Sequence, residues 1–208
     1  MIRQKKWYPI LYMFLVTVFF STILISFSRY TRDLVEANRK LAFEKAVLKA
    51  LSIPLPVTAS NMDWHNTYLE KIKEPQEDLQ GVYIYKSDDM VIGYALPFEG
   101  QGFWAPIRGV IGIATDKRTI TGIAMYEQNE TPGLGAEITK PEFRAQFEGK
   151  QIALQGNPLE IKQVTEELDQ HSVHAITGAT QTSIRFEKIL NDALEKWKTE
   201  FLHGDNRQ

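Results

Sequence analysis

Residues 7–28, opening on WYPILYMFLVTVFF, run for 22 positions without a charged side chain. A helix of about 20 apolar residues crosses a hydrocarbon core of about 30 Å, so this segment is long enough to span a membrane. A cleaved signal peptide is the alternative, but its apolar region usually covers only about 7–15 residues and ends at a small-residue site. The flanking ISFSRYTRD offers no such site, and the segment reads as an uncleaved anchor. Arg3, Lys5 and Lys6 precede it with no acidic residue among them, whereas Arg29 and Arg32 are soon joined by Asp33 and Glu36. Basic residues stay on the cytoplasmic side. The expectation is a single-pass protein of the cell inner membrane, its N-terminus cytoplasmic and the rest on the extracytoplasmic, periplasmic side.

The organisation read from the sequence is a cytoplasmic tip and transmembrane helix at 1–28, a helical connector at 29–80 and one folded domain at 81–208. In the connector, Leu34, Ala37, Leu41, Leu48 and Leu51 recur at helical spacing, predicting an amphipathic helix that Pro54 and Pro56 end. A short helix around Met62–Lys73 would place Trp64, Tyr68 and Ile72 on one side. From Gly81 the pattern becomes short β-rich runs, GVYIYKS, MVIGYALP, IRGVIGIAT and TITGIAMYE, with turns at Ser87-Asp88-Asp89 and Asp116-Lys117-Arg118. ITKPEFRAQFEG reads as one or two helical turns, and KQIAL and LEIKQVTE read as further strands around Gly156-Asn157-Pro158. From about Thr182 to Phe201 an amphipathic helix sets Phe186, Leu190, Leu194, Trp197 and Phe201 on one face, to cover the sheet. Strands in runs rather than in alternation with helices predict an α+β domain, an antiparallel sheet flanked by helices.

The chain has no cysteine, which excludes disulfides, zinc–thiolate sites and cysteine-ligated iron–sulfur clusters. Removing the three basic residues of 1–28 from 24 Lys+Arg against 26 Asp+Glu leaves a net charge of −5, unsuited to the phosphate backbone of a nucleic acid. His65, His171, His174 and His203 are scattered, and HSVHAIT looks extended, so no metal site is expected. Neither a glycine-rich phosphate loop nor a G-x-S-x-G elbow is present, and no catalytic residue is assigned.

Two loops stand out. In TGATQTS, Gly178 and Ala179 keep one side uncluttered beside Thr177 and Thr180, just before a helix whose first amides favour a phosphate. Equally, Thr182 or Ser183 could serve only to cap that helix. In ETPGLG, Glu130 to Gly135, Pro132-Gly133 with Gly135 lets backbone approach a ligand and leaves Leu134 as an apolar wall, or the stretch is a plain strand-to-helix turn.

TGAT followed by QTS, with ETPGLG upstream and one N-terminal span, resembles the flavin-carrying subunits of sodium-translocating NADH:quinone oxidoreductase and of the related Rnf electron-transport complex. The resemblance covers the anchor and most of the chain from about Gly93. GQGFWAPIRG and MYEQNETPGLGAEI lean toward the sodium-pump member of the pair, and the total length toward the Rnf member. It implies an FMN-binding domain in which Thr180 holds FMN covalently through a phosphoester, attached by a dedicated flavin transferase. It further implies that the ETPGLG loop lines the flavin, with Thr131 hydrogen-bonding the isoalloxazine, Leu134 packing on it and Trp104 nearby. The protein would be a membrane-anchored electron-transfer subunit of an ion-translocating redox complex, catalysing little alone, with NADH and ion handling left to other subunits. His174 departs from the pattern, which carries an aspartate three residues before the motif. The competing readings are a membrane-anchored small-ligand or partner-binding module of the same fold without covalent flavin, and a stand-alone flavin reductase, against which the missing nicotinamide fingerprint counts.

Overall fold

The computed structural model describes residues 7–75, 81–88 and 90–202. The basic cluster Arg3, Lys5 and Lys6, the turn residue Asp89 and His203 lie outside the described residues. The chain divides into two units, 1–40 and 41–208.

The first unit is helical. It is the leading part of α1 (Tyr8–Ala50), a single unbroken helix of 43 residues. It is long and apolar enough to cross a membrane, and its most apolar stretch is not buried. Thr22 and Thr31 satisfy their hydroxyls inside the helix, donating to the carbonyls of Val18 and Phe27. Leu34 and Ala37, at the start of the amphipathic stripe, are exposed; burial along α1 begins only with Glu44, Ala46, Val47 and Leu48. Helical spacing places these residues on one face and cannot say where the covering domain starts.

The second unit is a five-stranded sheet with helices on both faces. Its strands β1 (Ile72–Lys73), β2 (Tyr83–Ser87), β3 (Met90–Gln101), β4 (Pro106–Ala114) and β5 (Ile120–Glu127) lie in chain order, every neighbouring pair antiparallel. Alternation along the strands sends Leu96, Phe98, Ile107, Ile111, Ile113 and Ile123 to one face. Against them pack Phe186, Leu190 and Leu194 of α4 (Thr180–Trp197), with Phe143 of α3 (Pro141–Ala145) and Phe147 just beyond it. Ala95, Val110 and Ala124 point the other way, toward Val47 and Leu48 of α1 and Tyr68 of α2 (Asn61–Lys71). Small residues on that face let α1 come close. Thr121 donates its hydroxyl to the Ala50 carbonyl at 2.8 Å, and a Cβ at Gly112 would run into that same carbonyl. Ser52, at φ +53°, turns the chain off the helix, and the Ile53 amide returns to the Leu48 carbonyl at 2.9 Å. Ser60 and Asp63 form a reciprocal capping box on α2.

Three local readings are corrected. KQIAL is not a strand; the amides of Lys150, Gln151, Ile152 and Ala153 donate to the carbonyls of Phe147, Gln170, Arg118 and Pro158 in turn, leaving one bridge, Thr119 to Gln151. LEIKQVTE contributes only β6 (Glu160–Lys162), which pairs in parallel with β7 (Ser172–His174) instead of joining the main sheet. The last helix starts at Thr180 rather than Thr182, and a π-helical turn, Lys198–Leu202, continues it.

Candidate functional site

α4 begins with no side-chain cap: its N-cap residue is Ala179, and neither Thr182 nor Ser183 takes that role. The Ser183 hydroxyl accepts from the Ile176 amide at 3.2 Å, pulling the preceding loop onto the first turn. The Thr182 hydroxyl donates to Glu130 Oε2 at 2.7 Å, although the two residues stand 52 positions apart. A helix start without a cap keeps its leading amides and the positive end of its dipole available to an anion. Thr180, the first residue of the helix, is exposed there.

Glu130 is the strut of the site. It is 5% exposed, and its second oxygen accepts from the Trp104 amide at 3.1 Å. Its own amide donates to Gln128 at 2.7 Å. Any Cβ at Gly102 would lie 2.6 Å from one carboxylate oxygen, and a Cβ at Gly135 would lie 2.8 Å from the other. Two glycines therefore make the room in which this carboxylate ties together the loop after β3, the loop after β5 and the start of α4. Removing one tie should be felt: Thr182→Val, close in shape, deprives a buried carboxylate of a donor and is expected to lower stability by about 1.5–3 kcal/mol. Urea unfolding of the full chain in detergent measures this, and Thr182→Ser should recover most of the loss.

These loops enclose a cavity of about 330 Å³. Phe103, Trp104 and Leu134 supply an apolar wall, and Thr131, Thr180 and Gln181 supply polar groups. Phe103 and Trp104 meet edge-on at 4.9 Å, and Trp104 is 66% exposed, so it is no core tryptophan. The buried one is Trp197, whose indole nitrogen donates to the Lys117 carbonyl. Gly178, at φ +77°, brings the two loops together, since a Cβ there would stand 3.3 Å from Leu134.

Of the residues singled out in the sequence, Trp104, Glu130, Thr131, Leu134 and Gly135 meet Gly178, Ala179, Thr180 and Thr182 around this one cavity. Thr177 and Ser183 instead line a neighbouring cavity of about 500 Å³, which shares Gly178 and Thr180 with the first. Gly133, at φ +74°, shapes the turn from outside both. Sequence reasoning passed over Phe103 and Gln181. The signal for Phe103 was its place beside Trp104 between Gly102 and Ala105-Pro106, where two adjacent aromatics cannot both face the core of a strand. His174 lies outside the first cavity: its amide donates to Gln146 and its ring Nε2 meets the Glu166 carbonyl at 3.1 Å. Among the described residues, no group of three or more His, Asp or Glu could hold a metal ion.

An apolar wall facing an exposed hydroxyl at an uncapped helix start fits a planar aromatic system carrying a phosphate. Comparison with known proteins leads the same way. Residues 102–195 match the FMN-binding domain family. Over 105 residues the chain is 39% identical to NqrC, a component of the Na(+)-translocating NADH-quinone reductase, of Vibrio vulnificus, a match covering 49% of this chain and 41% of that protein. The chain thus spans less than half the length of this relative. The crystal structure of the corresponding Na(+)-translocating NADH-quinone reductase component from Parabacteroides distasonis superposes with a TM-score of 0.70 at 26% identity, covering 82% of this chain and 96% of that one. Shewanella oneidensis NqrC, at 20% identity and a TM-score of 0.64, shares the fold.

Proposed function

We propose, from the premise that residues 102–195 are an FMN-binding domain resembling that of NqrC, that this chain is a membrane-anchored electron-transfer subunit holding FMN through a phosphoester on Thr180. The observation that carries this reading is the exposed Thr180 hydroxyl at an uncapped helix start, beside a cavity walled by Trp104, Phe103 and Leu134.

The residues would divide the work as follows. The first amides of α4 and its dipole neutralise phosphate charge next to Thr180. Gly178 and Ala179 leave the approach to the hydroxyl free of side chains, which a modifying transferase needs. Leu134, Phe103 and Trp104 give a ring system an apolar surface and keep water from it, while Thr131 offers a hydrogen-bonding hydroxyl. Glu130 positions all three segments through Trp104 and Thr182 and stays buried behind them. FMN, when bound, supplies one- and two-electron chemistry that no side chain here can perform.

The remainder of the reading concerns the setting. The span at 1–28 anchors the chain in the inner membrane with its N-terminus cytoplasmic, 29–80 connects, and 81–208 carries the flavin on the extracytoplasmic side. Partner subunits of an Nqr-type or Rnf-type complex would handle NADH, quinone and the coupling ion, and a flavin transferase would load the chain. His174, in the place of the usual aspartate, is tied to Gln146 and Glu166 and would alter loading efficiency rather than the cavity.

The test is intact mass of the full chain, produced in membranes with and without a flavin transferase. The expected result is a gain equal to FMN less one water only when the transferase is present. No gain beside a control protein that is fully loaded would leave a binding module built on a flavin-carrier fold.

A further inference from the structure

A cavity of about 460 Å³ that shares no lining residue with the site at Thr180 lies between the end of α1, the α1–α2 link, α2 and α3. Lys49 comes to it from the last turn of α1 and Arg144 from α3, with Trp64, Pro54 and Leu55 as apolar wall. Lys45, one turn before Lys49, faces the same indole: the two ammonium nitrogens stand 6.0 and 5.7 Å from the Trp64 ring centroid. Three cations thus converge. Lys45 is satisfied by Asn61 Oδ1 at 2.7 Å. Arg144 Nε is buried with no hydrogen-bond acceptor, and among the described residues neither Arg144 nor Lys49 makes an ion pair. Glu148, the one acidic residue lining the cavity, bonds neither of them. Lys49 is exposed, yet partial desolvation, then the charges of Arg144 and Lys45, hold its pKa below the ordinary lysine value.

A fold that brings a guanidinium and a lysine, neither of them in an ion pair among the described residues, to the wall of one cavity has built an attractive place for an anion. We propose that this cavity is an oxyanion site for a phosphate-class dianion, with Arg144 and Lys49 as its two cationic ligands. A dianion neutralises both cations where a single carboxylate would leave one unmatched. Trp64, Pro54 and Leu55 leave apolar room for an organic substituent, so a free phosphate and the headgroup of a phospholipid share the required chemistry.

Anion binding raises the pKa of a lysine and so lowers its reactivity toward acylating reagents, and this gives the readout. The full chain is reconstituted in phosphatidylcholine vesicles and labelled with an amine-reactive ester, with Lys49 and Lys45 followed by peptide mass spectrometry. Inorganic phosphate, at constant ionic strength, should slow Lys49 labelling relative to Lys45 by about tenfold, the effect of one pKa unit. Slowing by added phosphate identifies a free source; slowing in phosphatidic acid vesicles without added phosphate identifies the headgroup. Arg144→Gln should lose the effect, and Arg144→Lys, which keeps the charge, should retain a measurable part of it with an unchanged circular dichroism spectrum. Protection by neither source, or equal protection in wild type and Arg144→Gln, would overturn the proposal. Repeating the experiment in Thr180→Val separates this site from the flavin reading, since Lys49 protection should be unchanged there.

Discussion

Thr180→Val should abolish covalent flavin while leaving the domain folded. The substitution removes only a hydroxyl, at a position that is exposed and makes no side-chain hydrogen bond among the described residues. Stability should therefore change by no more than about 0.5 kcal/mol, the range of ordinary surface substitutions. The effect on loading is of another order, because a phosphoester cannot form without an oxygen to carry it. Denaturing gels read for flavin fluorescence should show a bright wild-type band and none for Thr180→Val, with Thr180→Ser restoring the band. Flavin retained by Thr180→Val through denaturation would move the attachment to another exposed hydroxyl, Thr177 first.

Gly112→Ala should be the most destabilising single methyl in the domain. The added carbon would meet the Ala50 carbonyl and the Thr121 hydroxyl, and the first of these is backbone that cannot rotate away. Overpacking costs typically about 1–3 kcal/mol, and a contact against fixed backbone belongs at or above the upper end. Relief requires lifting the end of α1 from the sheet, which also strains the 2.8 Å bond from Thr121 to Ala50. Gly149→Ala is the control. Its φ of +76° disfavours a side chain, but nothing lies within 4 Å of the added carbon, so only the conformational cost of about 1–2 kcal/mol applies. Urea midpoints of the two variants should separate clearly; equal midpoints would mean that the α1 contact yields without loss.

What the sequence made legible follows from how far apart the cooperating residues are. The β-rich runs MVIGYALP and IRGVIGIAT and the turn residues between successive runs are local, and they foretold the strands and the antiparallel sheet. The stripe Phe186, Leu190, Leu194 foretold α4 and its face for the same reason. Short segments were harder. KQIAL has the composition of a strand, yet it meets β5 only at its tip, through the Ile120 amide to the Lys150 carbonyl, and its other bonds go to loops. The parallel pairing of β6 with β7 depends on the path of 163–171 between them, which periodicity does not encode. At the site, the loops could be picked out by their glycines and threonines, because open backbone and hydroxyls are visible one residue at a time. The part played by Glu130 was not visible, since it consists of bonds to Trp104 and Thr182, 26 and 52 residues away. Arg144 and Lys49 likewise meet only once the sheet has brought α3 beside the end of α1.

The tie made by Glu130 also sets a clock. Its three segments are separated by the β4–β5 hairpin on one side and by the whole β6–β7 region on the other, and the start of α4 is the last of the three in chain order. During synthesis, while the earlier strands can already pair, Glu130 has no Thr182 to hold and Thr180 has no helix start to occupy. The pocket comes into being only when α4 docks. On the proposed function, loading therefore waits for α4 to dock, and a chain stalled before that point, lacking the geometry, would be passed over by a flavin transferase.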